Sequence, residues 1–333
     1  MSRSNGESSW RPACDLAALQ TRAQLLAAIR RFFAERDVLE VETPLLCQAG
    51  GTDPNLSPFL TRFRLPGQLE GIPLYLQTSP EFAMKRLLAA GSGSIYQICK
   101  AFRNEEAGRY HNPEFTLLEW YRVGFGLEGL MDEIDDLLLG LFVGIRRLEP
   151  SERIAYREAF RRHVGVDPLA ATIGELAESA SRHGLTEAHT LCGENRPLWL
   201  DLLFSHLVQP RLGRERISFV FDYPACQPSL ARGKPGDPAV VERAEVFMDG
   251  LELANGFHEL ADPSEQERRF DGDLAVRRAR GLIQPSKDTR LLAALAAGLP
   301  DCCGVALGLD RLLMLLTGAG TIDEVLAFPA ERA

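Results

Sequence analysis

A pair of strand-like runs joined by a polar loop constrains the fold of this chain more than any other feature. Ile95–Arg103 and Glu114–Tyr121 are rich in apolar and aromatic residues, and the loop between them contains a glycine and a proline. This pattern predicts a β-hairpin. Because side chains alternate between the two faces of a strand, Arg103 and Glu105 are expected to share one face. The mouth of the hairpin therefore carries charged groups, either as a surface ion-pair ladder or as part of a binding site.

Helix-like and strand-like patterns lie on both sides of this hairpin. Apolar residues recur at helical spacing over Leu19–Asp37, and Val38–Thr43 then alternates in the way that is typical of a short strand. Glu245–Gly256 predicts a second hairpin that turns at Asp249 and Gly250. Together these patterns predict an α+β fold in which an antiparallel β-sheet is flanked by helices.

The composition is that of a globular protein and argues against two classes of function. Hydrophobic residues make up 45% and charged residues 25% of the 333 residues, and no apolar run of about 18 residues predicts a membrane span. The formal net charge of -9 provides no overall basic surface for nucleic acid. Seven scattered cysteines without a CxxC pair favour free thiols, as in a cytoplasmic protein, over disulfides or a zinc site.

The domain organisation is expected to be simple. Met1–Trp10 is polar and lacks the apolar core of a signal peptide, so residues 1–20 are interpreted as a flexible N-terminal arm. Residues 21–333 are expected to form one catalytic domain. Within it, residues 150–215 show amphipathic helical patterns broken by proline and glycine, which predicts a mostly helical insertion.

Two glutamates are prominent in the apolar run that forms the second half of the second hairpin. Glu252 and Glu259 flank Asn255 in this run. A buried carboxylate needs a cation, and magnesium or a substrate ammonium group would supply one. An ordinary pair of surface acids is the alternative.

Small residues alternate along a third run, Gly304–Leu312, at Gly304, Ala306 and Gly308. One face of such a strand would be nearly flat and would admit a planar ligand. Arg311 follows at the start of a predicted helix, and its guanidinium is suited to stacking on an aromatic base. Close packing of the helix on the strand is the alternative.

These runs resemble the three signature motifs of the class II aminoacyl-tRNA synthetases, in their lysyl version. VLEVETPL from Val38 resembles motif 1, FRNEEAGRYHNPEFTLLEWY from Phe102 resembles motif 2, and GVALGLDRLLML from Gly304 resembles motif 3. TSPE from Thr78 and ELANGFHEL from Glu252 resemble further lysyl segments. The resemblance implies the fold of that family, an antiparallel β-sheet flanked by helices.

The same resemblance implies that the protein binds ATP and Mg²⁺ and forms an aminoacyl-adenylate. Arg103 would hold the α-phosphate and Glu105 the adenine amino group. Arg103 and Arg311 would be catalytic, and Glu252 and Glu259 would bind magnesium. The ATP-binding residues that it implies are Arg103, Asn104, Glu105, His111, Asn112, Phe115, Glu252, Leu253, Gly308 and Arg311. The residues that it implies for a lysine-like substrate are Ser79, Pro80, Glu81, Tyr121, Asn255, Glu259 and Ala306.

Two departures from a lysyl-tRNA synthetase resemble a free-standing branch of the family that modifies elongation factor P. The motif 1 segment begins near the start of the sequence, which leaves no room for the expected anticodon-binding domain. Ala306 stands where glycine is typical, so the pocket near the substrate α-carbon is expected to differ. The resemblance to that branch implies (R)-β-lysine as substrate, elongation factor P as acceptor, a homodimer built at motif 1, no tRNA and no membrane partner.

Three alternatives stay open from the residues alone. One is a truncated lysyl-tRNA synthetase-like enzyme that acylates tRNA or a small molecule with lysine. The others are an asparagine-synthetase-like ligase and a non-catalytic sensor with the same fold. The intact charged residues Arg103, Glu105, Glu252, Glu259 and Arg311 favour an active enzyme over a sensor.

Overall fold

The computed structural model describes residues 10–67 and 69–333. The chain divides into two compact units, where the sequence analysis expects one domain from residue 21. The first unit comprises the described residues of Met1–Val123, together with Ala261–Pro300 and Ala306–Ala333. The second unit comprises Gly124–Leu260 and Asp301–Val305.

The secondary structure alternates between strands and helices along the described residues. The α-helices are α1 (Leu16–Ala34), α2 (Glu81–Ala89), α3 (Leu127–Phe142), α4 (Tyr156–Val164), α5 (Ile173–Arg182), α6 (Ala188–Cys192), α7 (Arg196–Leu203), α8 (Pro263–Ala279), α9 (Thr289–Gly298) and α10 (Leu309–Thr317). The strands are β1 (Leu39–Glu40), β2 (Leu46–Cys47), β3 (Phe59–Phe63), β4 (Ile72–Leu76), β5 (Ile95–Phe102), β6 (Glu114–Val123), β7 (Glu152–Ala155), β8 (Ser218–Pro224), β9 (Gly233–Lys234), β10 (Asp237–Met248), β11 (Leu251–His258) and β12 (Cys302–Gly308).

Helix α1 packs its apolar face against the hairpin strands of the first unit. The side chain of Asp15 caps its N-terminus by accepting a backbone N–H of the first turn. Ile29 and Phe33 are fully buried, and Phe33 stacks on Tyr96 of β5 with 4.4 Å between ring centroids. The amphipathic helix predicted over residues 19–37 is confirmed. Its start at Leu16 means that residues 16–20 are helical and not part of a flexible arm, while residues 1–9 lie outside the described residues.

The first hairpin is confirmed as β5 and β6, which pair antiparallel with Ile95 opposite Tyr121. Strand β1 pairs with β5 in parallel through Leu39–Glu40, so the strand predicted over Val38–Thr43 is shorter than expected. A second, three-stranded sheet has the order β2-β4-β3. The pairs β1–β5 and β7–β8 add parallel pairing to the antiparallel arrangement that the sequence predicts, whereas the three-stranded sheet is antiparallel throughout.

In the second unit the strand order is β11-β10-β8-β7, with β9 beside β10. The predicted second hairpin is confirmed as β10 and β11. Asp249 and Gly250 have φ values of 51° and 74° at its turn, the left-handed conformations that a type I′ turn requires. A β-bulge between Val246 and Phe247 shifts the register of the two strands.

Helices α4 to α7 lie in the range 150–215, for which a mostly helical insertion was predicted. Tyr156, Phe160 and Trp199 are fully buried among them, and Tyr156 stacks on Phe204 at 5.0 Å. Apolar residues of β8 and β10 belong to the same cluster. The helices therefore bury their apolar faces against the sheet of the second unit.

Two further expectations concern the whole chain. No helix within residues 10–67 and 69–333 is long and apolar enough to cross a membrane. All seven cysteines lie in these ranges and all are free thiols. The vicinal pair Cys302 and Cys303 is buried, and burial raises the pKa of the Cys303 thiol.

Candidate active site

Arg103 lies at the end of β5, where the hairpin opens. Its backbone N–H donates to the carbonyl of Pro113 across the hairpin at 2.9 Å, which fixes the start of the side chain. The guanidinium carbon lies 5.0 Å from the centre of the Phe115 ring, and Nη1 lies 3.7 Å from a carboxylate oxygen of Glu106. The Nε atom is buried and makes no hydrogen bond within the described residues. A guanidinium that lies on an aromatic face and has an N–H without a hydrogen-bond acceptor is suited to bind an anion.

Glu105 adopts a left-handed backbone conformation with φ of 70°, which is uncommon for a residue other than glycine. Two contacts with Ser57 accompany this conformation. The N–H of Asn104 donates to the carbonyl of Ser57 at 2.8 Å, and the hydroxyl of Ser57 donates to the Glu105 carboxylate at 3.3 Å. The Asn104 side chain accepts the N–H of Glu105 at 3.0 Å. The orientation of the Glu105 side chain is therefore set by its own backbone conformation and by the hydrogen bond from Ser57.

His111 and Arg311 meet beside the hairpin loop. Nη2 of Arg311 donates to Nε2 of His111 at 2.6 Å, and Nε of Arg311 donates to the carbonyl of Tyr110 at 3.3 Å. Partial desolvation and the Arg311 charge lower the pKa of His111. A guanidinium can donate only to an unprotonated nitrogen, so His111 is neutral with its proton on Nδ1. The sequence motif predicted both residues, but their mutual contact was not foreseen.

Asp310, the residue before Arg311, makes its side-chain contacts outside its own helix. In the structure the N-cap position of α10 is Gly308, and the Asp310 carboxylate reaches sideways to β6. It accepts the backbone N–H of Thr116 at 2.6 Å and a guanidinium N–H of Arg22 at 2.5 Å. This buried carboxylate joins α10 to β6 and to α1, and it thereby fixes the helical turn from which Arg311 extends.

Asn112, predicted to line the nucleotide, has a different set of contacts. Its side-chain N–H₂ group donates to the carbonyl of Glu114 at 2.5 Å, and its side-chain oxygen accepts the N–H of Ala330 at 3.0 Å. Both polar atoms of the side chain therefore bind backbone. Asn112 ties the hairpin loop to the C-terminal segment of the chain.

A buried carboxylate lies between two of the residues predicted to bind the lysine-like substrate. Glu119, on β6, is 2% exposed. The hydroxyl of Ser79 donates to one of its oxygens and the hydroxyl of Tyr121 to the other, each at 2.7 Å. The backbone N–H of Glu81 donates to the Ser79 hydroxyl at 3.0 Å and so orients it. Glu119 was not in the predicted substrate set, although its position two residues before Tyr121 puts it on the same face of the strand.

Glu81 is in the first turn of α2, one turn before its partner Lys85. Nζ of Lys85 donates to the Glu81 carboxylate at 2.6 Å, and the lysine side chain is only 2% exposed. Pro80 precedes this turn and is buried. Pro80 is at the N-cap position, and α2 begins at Glu81. The structure therefore joins Ser79, Glu81 and Tyr121 in one hydrogen-bonded group centred on Glu119.

Ala306 and Gly308 lie near the C-terminal end of β12. Both are partly exposed, whereas their neighbours Val305 and Leu307 are buried. Ala306 and Gly308 therefore lie on the more accessible face of the strand, whereas Gly304, the third small residue, is buried.

In the second unit, Glu252 belongs to a charged cluster on β10 and β11. Arg243 donates to the Glu245 carboxylate and, through Nε, to the side-chain oxygen of Asn255 at 3.2 Å. The hydroxyl of Tyr223 donates to Glu245 at 2.5 Å. Burial raises the pKa of Glu245 in spite of Arg243, and the negative charge of Glu252 adds to the rise. A further cation would relieve this build-up of negative charge, so the carboxylates suit a hard metal ion such as Mg²⁺.

Glu245 is thus a functional candidate near Glu252 that the sequence did not predict. Glu259 is buried beyond the end of β11, where its N–H donates to the carbonyl of Cys302 at 3.0 Å. Leu253, predicted to lie along ATP, is buried. Among the residues that the structure describes, no three or more His, Cys, Asp or Glu side chains form a metal-binding group.

The comparison with known proteins defines the class of the chain. Residues 11–332 match the family of tRNA synthetases class II (D, K and N), to which the chain therefore belongs. Its α+β fold is that of this family.

Individual relatives are similar over nearly the whole chain. Elongation factor P–(R)-β-lysine ligase of Salmonella dublin is 51% identical over 325 residues, which cover 98% of this chain and 98% of the relative. The proteins with the same name from Salmonella heidelberg and Salmonella typhimurium have the same identity and coverage.

Proposed function

We propose that this protein is an ATP-dependent ligase that activates (R)-β-lysine as an adenylate and transfers it to the ε-amine of a lysine on elongation factor P. The name and the near-complete coverage of the similar Salmonella ligases support the substrate and the acceptor. The observation that carries the proposal is the hairpin that holds Arg103 against Phe115, with Glu105 directed beside it. This arrangement suits a nucleoside triphosphate, and residues 11–332 belong to a family of adenylate-forming enzymes.

The reaction has two steps, and neither requires a protein nucleophile. In the first step a carboxylate oxygen of the amino acid attacks the α-phosphorus of ATP, an acyl–phosphate bond forms and pyrophosphate leaves. In the second step the neutral amine of the acceptor lysine attacks the acyl carbon, an amide forms, AMP leaves and the amine loses a proton. The protein contributes orientation and charge stabilisation.

In this proposal Arg103 binds the α-phosphate and stabilises the negative charge that develops there. Arg311 contributes a second cation, which neutral His111 holds in place without competing for the phosphate. Phe115 and Arg311 stack on the adenine ring, and Glu105 accepts its amino group. The residues Asn104, His111, Asn112, Leu253 and Gly308 complete the proposed nucleotide set.

Magnesium is proposed at Glu252 and Glu259, with Glu245 as a further carboxylate near Glu252, where it would neutralise phosphate charge when bound. The raised pKa of Glu245 supports a cation at this position. The salt bridge from Arg243 holds the Glu245 carboxylate in place within the described structure.

The amino-acid substrate is proposed to place an ammonium group against Glu119, Ser79 and Tyr121. A carboxylate that is 2% exposed and accepts two hydroxyl groups is well suited to a desolvated cation. Glu259 and Asn255 are proposed to receive the second amine. Ala306 adds one methyl group to the accessible face of β12, and we propose that this methyl favours (R)-β-lysine over α-lysine.

Transfer to elongation factor P, and not to tRNA, is tested directly by a reconstituted assay. Purified protein is incubated with ATP, Mg²⁺ and either radiolabelled (R)-β-lysine or α-lysine, with elongation factor P or total tRNA as acceptor. The proposal predicts label in elongation factor P, with a preference for (R)-β-lysine. Label in tRNA alone would show that the chain is instead a lysyl-tRNA synthetase-like enzyme.

A homodimer is proposed from the motif 1 resemblance and from the apolar surface of the β2-β4-β3 sheet. Leu46, Phe63 and Ile72 of this sheet are exposed, and the strand register places them on one face. An exposed apolar patch of this kind favours association with another protein surface. Light scattering after size exclusion is expected to give the mass of two chains, and Phe63→Glu with Ile72→Glu is expected to give that of one.

A further inference from the structure

Helix α8 carries a fully buried arginine that has no part in the chemistry described above. Arg277 is 0% exposed. Its Nη1 atom donates to the carbonyls of Asp53 at 2.7 Å and Leu56 at 3.1 Å, and its Nε atom donates to the carbonyl of Ile283 at 2.6 Å. Its Nη2 atom makes no hydrogen bond within the described residues. Burial of a guanidinium with an unsatisfied nitrogen lowers stability, so the arginine is poorly explained by stability alone.

Two neighbours of Arg277 bind the same segment of chain, residues 52–57, which we call the tether loop. Asp273 precedes Arg277 by about one helical turn. Its carboxylate accepts a hydrogen bond from the hydroxyl of Thr52, the first residue of the tether loop, at 2.8 Å. Arg280 follows Arg277 by about one turn and donates to the side chain of Asn55 at 3.4 Å. Residues at this spacing lie on one side of a helix. One side of α8 therefore binds the tether loop at three successive points.

The tether loop ends at Ser57, which is the residue that contacts the tip of the first hairpin. The Ser57 carbonyl accepts the N–H of Asn104, and its hydroxyl donates to Glu105. Leu56, whose carbonyl Arg277 binds, directly precedes Ser57. A continuous series of hydrogen bonds thus runs from Arg277 through the loop backbone to the left-handed Glu105.

We infer that Arg277 is a positioning residue for nucleotide recognition, which holds the tether loop so that Ser57 directs the carboxylate of Glu105 toward the adenine amino group. The inference rests on the proposed role of Glu105. Loss of Arg277 removes a donor from the carbonyls of Asp53 and Leu56, of which only that of Asp53 keeps a backbone hydrogen bond, and it frees Ser57 to move. Glu105 then loses the hydroxyl that orients its carboxylate, while Arg103 keeps its hydrogen bond to Pro113 across the hairpin. The effect is therefore expected on selection of the base and not on the phosphate step.

The test compares ATP with GTP, which carries an oxo group in place of the adenine amino group. Pyrophosphate exchange is measured with each nucleotide at saturating (R)-β-lysine for wild type, Arg277→Met, Arg277→Lys and Ser57→Ala. Removal of one hydrogen bond to a charged group in a binding site weakens binding by about tenfold, so Arg277→Met is expected to raise the KM for ATP by about that factor. The ratio of kcat/KM for ATP over GTP is expected to fall by the same factor. The KM for (R)-β-lysine and the kcat with ATP are expected to change by less than about twofold.

The other variants separate positioning from a general loss of structure. Ser57→Ala removes only the hydroxyl and is expected to lower the ATP-over-GTP ratio by about threefold. Arg277→Lys keeps a cation with fewer donors and is expected to lie between wild type and Arg277→Met. Arg268→Met is the control, because Arg268 is on the same helix, is 71% exposed and binds only Glu265 at the surface. Circular dichroism and thermal melting test whether each variant is folded. If Arg277→Met is unfolded, the ATP-over-GTP ratios of Arg277→Lys and Ser57→Ala test the inference.

The outcomes distinguish this inference from the proposed function. Exchange by the wild type with an ATP-over-GTP ratio that is unchanged in Ser57→Ala and Arg277→Lys would overturn the positioning role alone. Equal rises in the KM values for ATP and for (R)-β-lysine would also overturn it, because they indicate a general loss of structure. No exchange by the wild type with any amino acid would overturn the proposed function and this inference with it.

Discussion

Glu119→Gln is the substitution that tests the substrate pocket most directly. The glutamine fills the same volume, and its oxygen can still accept one of the two hydroxyl groups that Glu119 binds. The negative charge is lost, however, and a substrate ammonium group would then face a neutral amide in a buried pocket. Removal of one partner from a buried ion pair costs about 3–5 kcal/mol.

The lower end of that range applies because the hydroxyl groups of Ser79 and Tyr121 stay in place and continue to solvate the ammonium. About 3 kcal/mol corresponds to a roughly hundredfold loss in kcat/KM for (R)-β-lysine. The KM for ATP is expected to stay within about twofold, since Glu119 binds Ser79 and Tyr121 of the proposed amino-acid pocket. One hydroxyl loses its acceptor, so the free energy of unfolding is expected to fall by about 1 kcal/mol.

The assay is pyrophosphate exchange with (R)-β-lysine varied at saturating ATP, and then the reverse. Glu114→Gln is the matched control, because Glu114 is on the same strand, is half-exposed and pairs only with Lys100 at 3.5 Å. Such a surface ion pair contributes little, so this variant is expected to resemble wild type. Wild-type kcat/KM for (R)-β-lysine in a folded Glu119→Gln variant would refute the pocket assignment.

Three further predictions address the nucleotide, the selectivity and the pH dependence. Arg103→Ala is expected to abolish pyrophosphate exchange without a change in the circular dichroism spectrum, and normal exchange would contradict the role of Arg103. Ala306→Gly is expected to shift the ratio of kcat/KM values toward α-lysine by about tenfold, the value of one methyl group in a pocket, and an unchanged ratio would show that this methyl does not set selectivity. Partial desolvation and Arg311 lower the pKa of His111 below its usual 6.5, so the folded protein binds fewer protons than the unfolded chain as the pH falls through this region. Its melting temperature is therefore expected to drop between about pH 7 and pH 5, and less so in His111→Gln; an equal drop in both would indicate that other groups cause it.

Local pattern was sufficient to predict both hairpins and the helix α1. The β5–β6 pair follows from two apolar runs and the loop between them, and the Asp249–Gly250 turn from residues that tolerate left-handed backbone. These features depend on neighbours in sequence, so a short stretch contains the information that they need.

The residues that were missed depend on contacts between distant parts of the chain. Glu119 becomes a pocket residue because Ser79, 40 positions earlier, donates to it. Glu245 becomes the neighbour of Glu252 because of the pairing of β10 with β11, which a bulge shifts by one residue. The parallel pairing of β1 with β5 likewise has no local signal, since it involves two residues of β1. Burial and strand register are tertiary properties, and the pattern of a single segment does not contain them.

The structure changes how several of the proposed site residues are explained. Asn112 binds backbone through both polar atoms of its side chain, so we propose that it supports the nucleotide site by holding the hairpin loop. Glu81 is paired with Lys85, so any substrate amine that it binds would share the carboxylate with this lysine. The motif resemblance identified the positions, whereas the hydrogen bonds indicate what each side chain does.

The hydrogen bond between Arg22 and Asp310 affects the order in which parts of the protein fold during synthesis. These residues are 288 positions apart, and the same carboxylate also holds the N–H of Thr116 in β6. Contacts of such long range form late, because the chain between them must be ordered first. During synthesis on the ribosome the hairpin can form early, but Arg311 cannot take its place until residue 310 has emerged and met α1. Arg311 is therefore expected to reach the position proposed for nucleotide binding only after residue 310 has been synthesised and has left the ribosome.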